Sequence, residues 1–282
     1  MNNYNELKFD LSVLMGQSNA EGNGLGNEEL IIELGNNVFE LNDINPCYLE
    51  IENDCTNLIC SKNINPYISK FEEKKGIDGL RRASFVSSFI KEYIDSGYLK
   101  DDRCILVIRC AVGGTGFSRN EWGINSPLYH RTTSLVDYAL SLNNENKIVS
   151  ILWHQGEHDA YEQASLNYQE RYNFYKTGFY KQFYDFKNRY KLDDMILIGG
   201  EFCNSWTNTL YKEKSEAIYS ATKDAIYELT MNEAIASSKG IKSNIEVDKS
   251  TNDDIHFSRI GAYELGRRYF KIYGRIMKHH KN

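Results

Sequence analysis

Two adjoining stretches near the start of the chain decide the fold: "FDLSVLM" (residues 9–15) and "GQSNAEGNG" (residues 16–24). The first is a short apolar run bounded by glycine, which is typical of a buried β-strand. In the second, Gly16 allows a sharp turn, and Ser18 follows between two amide side chains. The pattern predicts a strand that delivers a serine hydroxyl to the carboxyl edge of a sheet.

Further apolar runs predict four more strands, the last of them weakly: residues 104–111 ("CILVIRCA"), 147–153 ("KIVSILW"), 195–200 ("MILIGG") and 240–247 ("GIKSNIEV"). Runs that are apolar on both faces favour the centre of a parallel sheet. Helical patterns occupy residues 80–97, 126–143, 159–183 and 208–230, and a last one begins near Ser258. This alternation predicts an α/β fold with three layers, helix–sheet–helix, whose function lies at the carboxyl ends of the strands.

Two of the predicted helices carry capping signals at their starts. Ser126 is expected to be an N-cap, with Pro127 at the first helical position. Asp159 and Glu162 form a pair that resembles a capping box. We therefore expect the first of these helices to begin at residue 127 and the second directly after Asp159.

The chain has 282 residues, 33 basic and 39 acidic side chains and a formal charge of −6. We expect one domain over residues 1–282, with a long loop or insertion at about 25–76, where no periodicity is visible. The charge balance does not suggest a phosphate-binding surface, so nucleic acid is not an expected partner. No apolar run approaches the ~18 residues that span a bilayer, so no membrane association is expected. No secretory signal is visible, which predicts a cytoplasmic protein, although a trimmed secreted form stays open.

None of the six cysteines belongs to a C-x-x-C pair, and a chain of this length does not depend on disulfides. We expect free thiols. A bridge within one cluster stays open as an alternative, and this cluster consists of Cys47, Cys55 and Cys60.

Ser18 is either a nucleophile or an ordinary turn or helix-cap serine. A serine nucleophile needs a base and a group that orients the base. Of the six histidines, only His256 has an aspartate three residues earlier, Asp253. A carboxylate at that spacing in a loop can reach Nδ1 and leave Nε2 facing the serine.

The stretch "HQGEH", residues 154–158, formally matches the H-x-x-E-H zinc pattern. That pattern requires a helix, whereas a strand precedes it here and Gly156 interrupts it. A zinc hydrolase that uses His154, Glu157 and His158 is therefore the less favoured alternative, and we expect no metal or cofactor. In the favoured interpretation Gln155 donates its side-chain amide to an oxyanion.

The stretch "GGTGFSRNEW", residues 113–122, follows a predicted strand and offers a backbone that can approach a substrate closely. Gly113 or Gly114 is expected to donate its N–H to the same oxyanion, although a plain turn explains the glycines equally well. Nearby aromatic and charged side chains suit a sugar. The expected substrate contacts are Gln17, Asn19, Arg119, Trp122 and Glu157.

The four blocks "GQSNAEG", "GGTGFSRNEW", "WHQGEHD" and "DDIHFSRIGAYELG" resemble, in this order, those of the SGNH hydrolase superfamily. Within it, the sialate O-acetylesterase-like enzymes, carbohydrate esterase family 6, are the most similar. The resemblance implies a flavodoxin-like sheet, Ser18 as nucleophile, Asp253 and His256 as its partners, and Ser18, Gly113 or Gly114, and Gln155 at the oxyanion hole. This chain has Asp254 where members often carry glycine, so either aspartate could orient His256.

Together these observations predict a serine esterase that removes O-acetyl groups from carbohydrates through a Ser-His-Asp triad and an acyl-enzyme. A non-catalytic carbohydrate-binding protein on the same fold is the alternative from a different class. The expected partner is a glycan or small molecule that carries O-acetyl groups. The identity of the sugar and the oligomeric state stay open.

Overall fold

A computed structural model describes residues 4–26, 32–43, 62–67, 83–162, 165–209 and 211–279. Within these ranges the strands are β1 (Phe9–Gly16), β2 (Val38–Asp43), β3 (Lys62–Pro66), β4 (Cys104–Arg109), β5 (Lys147–His154), β6 (Leu197–Gly200) and β7 (Ile235–Ala236). The α-helices are α1 (Ser18–Glu21), α2 (Val86–Asp95), α3 (Pro127–Leu142), α4 (Glu157–Glu162), α5 (Tyr168–Tyr190), α6 (Asn204–Thr207), α7 (Lys212–Thr230), α8 (Asn244–Val247) and α9 (Arg259–His279). Among the described residues, no helix is both long and apolar enough to cross a membrane.

The strands form one sheet in the order β3-β2-β4-β1-β5-β6-β7, and among these described strands only β2 and β3 pair antiparallel. Without that edge pair, the remaining strands follow the order 2-1-3-4-5 of a flavodoxin-like sheet. Helix α2 packs against α9, and α5 packs against α7. The predicted α/β fold class is confirmed. Because the strand order reverses at β1, a crevice opens at the carboxyl ends of β4, β1 and β5.

The end of β1 lies directly against the end of β5, and Gly16 permits this approach. Gly16 has a φ of +129°, and a Cβ there would lie 2.1 Å from the backbone oxygen of His154. The N–H of Gln17 donates to that same oxygen at 2.9 Å. The chain then enters α1, so Ser18 becomes the first residue of a helix at the edge of the sheet.

Part of the segment expected to be a long loop or insertion, at about residues 25–76, is regular structure. Residues 38–43 form β2 beside β4, and residues 62–66 extend the sheet as β3. Each run is short and contains several polar residues, so its apolar pattern in the sequence is weak, although residues 38–41 of β2 are buried. Residues 27–31, 44–61 and 68–76 lie outside the described residues, and so does the cluster of Cys47, Cys55 and Cys60. The thiols of Cys104 and Cys203 are free.

Two further element boundaries differ from the prediction. Residues 240–247 do not form a strand, because Ser243 and Glu246 form a capping box that begins α8. Asp159 lies inside α4, and the long helix α5 begins later, after a capping box of Asn167 and Glu170. In both cases the serine or asparagine three residues before a glutamate determines where the helix begins.

Candidate active site

A chain of hydrogen bonds joins side chains from opposite ends of the sequence at the carboxyl edge of the sheet. The hydroxyl oxygen of Ser18 lies 2.8 Å from Nε2 of His256. Nδ1 of the same imidazole lies 2.9 and 3.0 Å from the two carboxylate oxygens of Asp253. A carboxylate at Nδ1 favours the tautomer whose Nε2 accepts a proton, so the arrangement is able to activate the hydroxyl.

The side chain of Asn19 holds the loop of His256 beside the serine. Its Nδ2 donates to the backbone oxygen of Ile255 at 3.1 Å, and its Oδ1 accepts from the backbone N–H of Phe257 at 3.1 Å. These bonds bracket His256 from both sides. Asn19 was expected to contact substrate, but its amide is engaged by the protein and the residue is only 5% exposed.

Asp253 is itself held by a second amide. Nδ2 of Asn244 donates to its Oδ2 at 2.8 Å, and the backbone N–H of His256 donates to its Oδ1 at 3.1 Å. Burial alone would raise the pKa of Asp253, but the bonds from His256 and Asn244 outweigh burial and hold the pKa below its ordinary value. Of the two candidate aspartates, Asp253 contacts the imidazole, whereas the backbone oxygen of Asp254 accepts from the hydroxyl of Ser205.

We expect Asp253→Asn to lower the free energy of unfolding at about pH 7, and the difference from the wild type to shrink at about pH 3. A carboxyl with a depressed folded pKa contributes stability above its unfolded pKa, about 3.9 for aspartate, and loses it as the pH falls through the folded pKa. Urea unfolding at both pH values measures the two differences. Asp254→Asn, which leaves the bond to Nδ1 in place, is the control. A difference of equal size at both pH values contradicts the prediction.

Residues 113–116, which follow β4 and are called the glycine loop below, lie against the serine. A Cβ at Gly113 would lie 3.5 Å from the Cβ of Ser18, so the Gly113 amide is near the hydroxyl. This amide donates to Oε2 of Glu21 at 2.9 Å. Gly114 follows with a φ of +70° and open space where a side chain would begin. The structure therefore brings the predicted glycines to Ser18, with a carboxylate bound to the first N–H.

Gln155, which the sequence predicts to be an oxyanion donor, is not among the residues that line the cleft. Its Nε2 donates to the backbone oxygen of Thr115 at 3.0 Å and to Oδ2 of Asp159 at 2.6 Å. Its Oε1 accepts from the hydroxyl of Tyr175 at 2.9 Å. Because both N–H groups of the amide are already used, Gln155 braces the glycine loop instead.

The amide of Gln17 is oriented towards the cleft by the backbone of α4. Its Oε1 accepts from the N–H groups of His158 at 3.1 Å and Gly156 at 3.3 Å. Backbone N–H groups only donate, so Nε2 must point away from them. Gln17 lines the cleft, and within the described part of the chain neither its Nε2 nor the N–H of Ser18 has an acceptor. These two groups are candidate donors to a developing oxyanion.

Glu157 borders the cleft but is almost wholly buried. Its Oε1 accepts from Nδ2 of Asn19 at 2.9 Å and lies 3.5 Å from Nε2 of His154. Burial would raise the pKa of Glu157, but His154 and Asn19 outweigh burial and lower it. His158 instead lies 3.5 Å from Glu162, so the two histidines face different carboxylates. Across the described residues, no group of three metal-binding side chains occurs.

The predicted contacts Trp122 and Arg119 do not line the cleft. Trp122 is 2% exposed, packs edge-on against Trp153 and donates its Nε1 to the hydroxyl of Thr115 at 3.0 Å. Arg119 is exposed and pairs with Glu162. The core needs the indole ring, which explains why this aromatic residue is not available to a sugar.

The cleft above Ser18 has a volume of about 480 Å³ and an aromatic wall. Trp206 forms part of this wall and stacks on Tyr211, with ring centroids 5.3 Å apart. Tyr161 is 60% exposed beside them. The sequence analysis predicted neither Trp206 nor several other lining residues as substrate contacts, because their exposure depends on tertiary packing. These residues are Glu21, Asn23, His158, Tyr161 and Ile255.

Fold and site together define a class of protein. A flavodoxin-like sheet with a serine after its first strand, a glycine loop after the next and an Asp-x-x-His sequence before the last helix is the arrangement of an SGNH hydrolase. A family model described as "Carbohydrate esterase, sialic acid-specific acetylesterase" matches residues 8–275. The chain belongs to this family, and it is a carboxylic ester hydrolase. No curated protein matches the chain.

Several solved structures share the fold at low sequence identity. NanS has a TM-score of 0.70 at 16% identity, and the match covers 96% of this chain and 98% of the NanS chain. A protein from Arabidopsis thaliana has a TM-score of 0.62 at 14% identity, and the match covers 94% of this chain and 98% of the Arabidopsis chain. A carbohydrate acetylesterase from Xanthomonas citri has a TM-score of 0.61 at 12% identity, and the match covers 95% of this chain and 56% of the Xanthomonas chain.

Proposed function

We propose that the protein removes O-acetyl groups from carbohydrates, such as sialic acids or other acetylated glycans, through a covalent acyl-enzyme. The observation that carries the proposal is the unbroken chain of hydrogen bonds from Ser18 through His256 to Asp253. A nucleophile, a base and a carboxylate in contact are the parts that acyl transfer requires. Family membership and the neighbouring carbohydrate acetylesterase support an acetylated sugar as the substrate.

In this mechanism Oγ of Ser18 attacks the acetyl carbon and passes its proton to Nε2 of His256. The oxyanion that forms accepts from the N–H of Ser18 and from Nε2 of Gln17. Collapse of the tetrahedral intermediate breaks the ester bond, and the leaving sugar oxygen takes the proton from His256. Water, activated by the same imidazole, then hydrolyses the acetyl-enzyme to acetate and free serine.

The experiment is a panel of O-acetylated glycans that includes O-acetylated sialic acid and acetylated xylan, with released acetate as the measurement. We expect the wild type to release acetate from at least one substrate and to keep this activity after treatment with a chelator. Loss of activity on chelation would favour the zinc alternative. Binding of a glycan without acetate release from any substrate would favour the non-catalytic alternative and contradict the proposal.

A further inference from the structure

The carboxylate of Glu21 accepts the backbone N–H of Gly113, the residue of the glycine loop that lies against Ser18. Ser18 and Glu21 are the first and last residues of α1, and a spacing of three puts their side chains on one face of a helix. Oε2 of Glu21 accepts from the N–H of Gly113 at 2.9 Å. Glu21 also lines the cleft together with Ser18 and His256. The carboxylate of Glu21 and a developing oxyanion therefore compete for the same donor, the N–H of Gly113.

The backbone of Glu21 is fixed, so only its side chain is able to relieve this competition. Its N–H donates to the backbone oxygen of Gln17 at 2.8 Å. Its own backbone oxygen accepts from the buried guanidinium of Arg109 at 3.3 Å. The side chain, in contrast, is partly exposed to the cleft. A rotation of this side chain would release the N–H of Gly113 without disturbing α1.

We propose that Glu21 binds a free hydroxyl group of the sugar next to the acetyl ester, and that this binding transfers the Gly113 N–H from the carboxylate to the acetyl oxygen. This inference rests on the proposed esterase function. A carboxylate accepts strongly from hydroxyl groups, so a sugar hydroxyl replaces the bond that Glu21 loses at Gly113. The site then selects acetyl esters that carry a neighbouring hydroxyl, and an acetyl ester without one leaves the amide blocked.

The test compares Glu21→Ala and Glu21→Gln with the wild type on two substrates, a mono-O-acetylated methyl glycoside with free hydroxyls and 4-nitrophenyl acetate. For the glycoside, we expect Glu21→Ala to lower kcat/KM about 10- to 100-fold, because a hydrogen bond to a charged group is lost. For 4-nitrophenyl acetate, we expect no loss and a rise of up to about 10-fold, because the freed N–H now reaches the oxyanion. Glu21→Gln keeps the shape of the side chain, and for each substrate its kcat/KM is expected to lie between those of the wild type and Glu21→Ala.

Glu121→Gln is the matched control, because Glu121 also accepts a backbone N–H of the glycine loop, that of Gly116 at 2.8 Å, but does not line the cleft. Glu121→Gln is expected to change kcat/KM for both substrates by the same factor. Equal losses on both substrates in the Glu21 variants, or no change on either, overturn the inference. A wild type that hydrolyses neither ester, or a Ser18→Ala variant that remains active, would instead overturn the proposed function.

Discussion

Ser18→Ala is expected to lower kcat for ester hydrolysis by about 10³-fold or more, which is the usual cost of removing a nucleophile that acts together with its base. The substitution deletes only Oγ, whose bond in the free protein is to His256. Because alanine fits the first position of α1, the fold and the affinity for substrate are expected to be unchanged. Acetate release and the dissociation constant for the best glycan of the panel measure the two effects.

Ser12→Ala is a suitable control for this substitution. Ser12 lies in β1, the strand that precedes Ser18, is also buried and bonds to the hydroxyl of Ser150 at 2.9 Å without lining the cleft. It is expected to keep the wild-type kcat. If Ser18→Ala kept most of the activity, the serine would have only the local role of a turn or helix-start residue, and the acyl-enzyme mechanism would be wrong.

Gln17→Glu is expected to lower kcat by about 10²- to 10³-fold, the usual effect of losing one oxyanion donor. The substitution keeps an oxygen that accepts from the N–H groups of Gly156 and His158, so the loop keeps its support. It replaces the donor Nε2 with an oxygen, which repels the developing negative charge. Steady-state kinetics with 4-nitrophenyl acetate and a thermal unfolding curve separate catalysis from folding.

Gln169→Glu, an exposed substitution of the same kind on α5, provides the comparison and is expected to have no effect on kcat. An unchanged kcat for Gln17→Glu would show that another group holds the oxyanion. A large fall in unfolding temperature would show that the N–H groups of Gly156 and His158 do not donate to the new carboxylate. A Gln17→Met variant would then supply the test of a missing donor.

The central sheet was predictable because its strands have a distinctive composition. The runs that became β1, β4, β5 and β6 are predominantly apolar, as is typical of strands that are buried on both faces. The start of α3 was predictable for a local reason, since the hydroxyl of Ser126 accepts from the N–H of Tyr129 three residues later. Strands β2 and β3 were missed, because polar residues interrupt their short apolar runs and because their pairing partners are distant in sequence.

The sequence by itself also determined which residues meet at the site. An aspartate three residues before a histidine, near one end of the chain, and a serine after the first strand, near the other end, predict a contact that the structure contains. Their catalytic roles stay predictions until the variants are measured. The contact was predictable because parallel strands bring their carboxyl ends to one edge, so residues far apart in sequence become neighbours.

Only the tertiary structure decided how the remaining polar groups at that edge are oriented. Gln17 and Gln155 each follow a strand in the sequence and look equivalent there. In the structure, Gln17 directs its Nε2 to the cleft, whereas the Nε2 of Gln155 donates to Thr115 and Asp159. The direction of a side-chain amide depends on donors and acceptors that come from other strands and loops, and no local pattern encodes them. For the same reason, sequence alone could not reveal that Glu21 binds the N–H of Gly113.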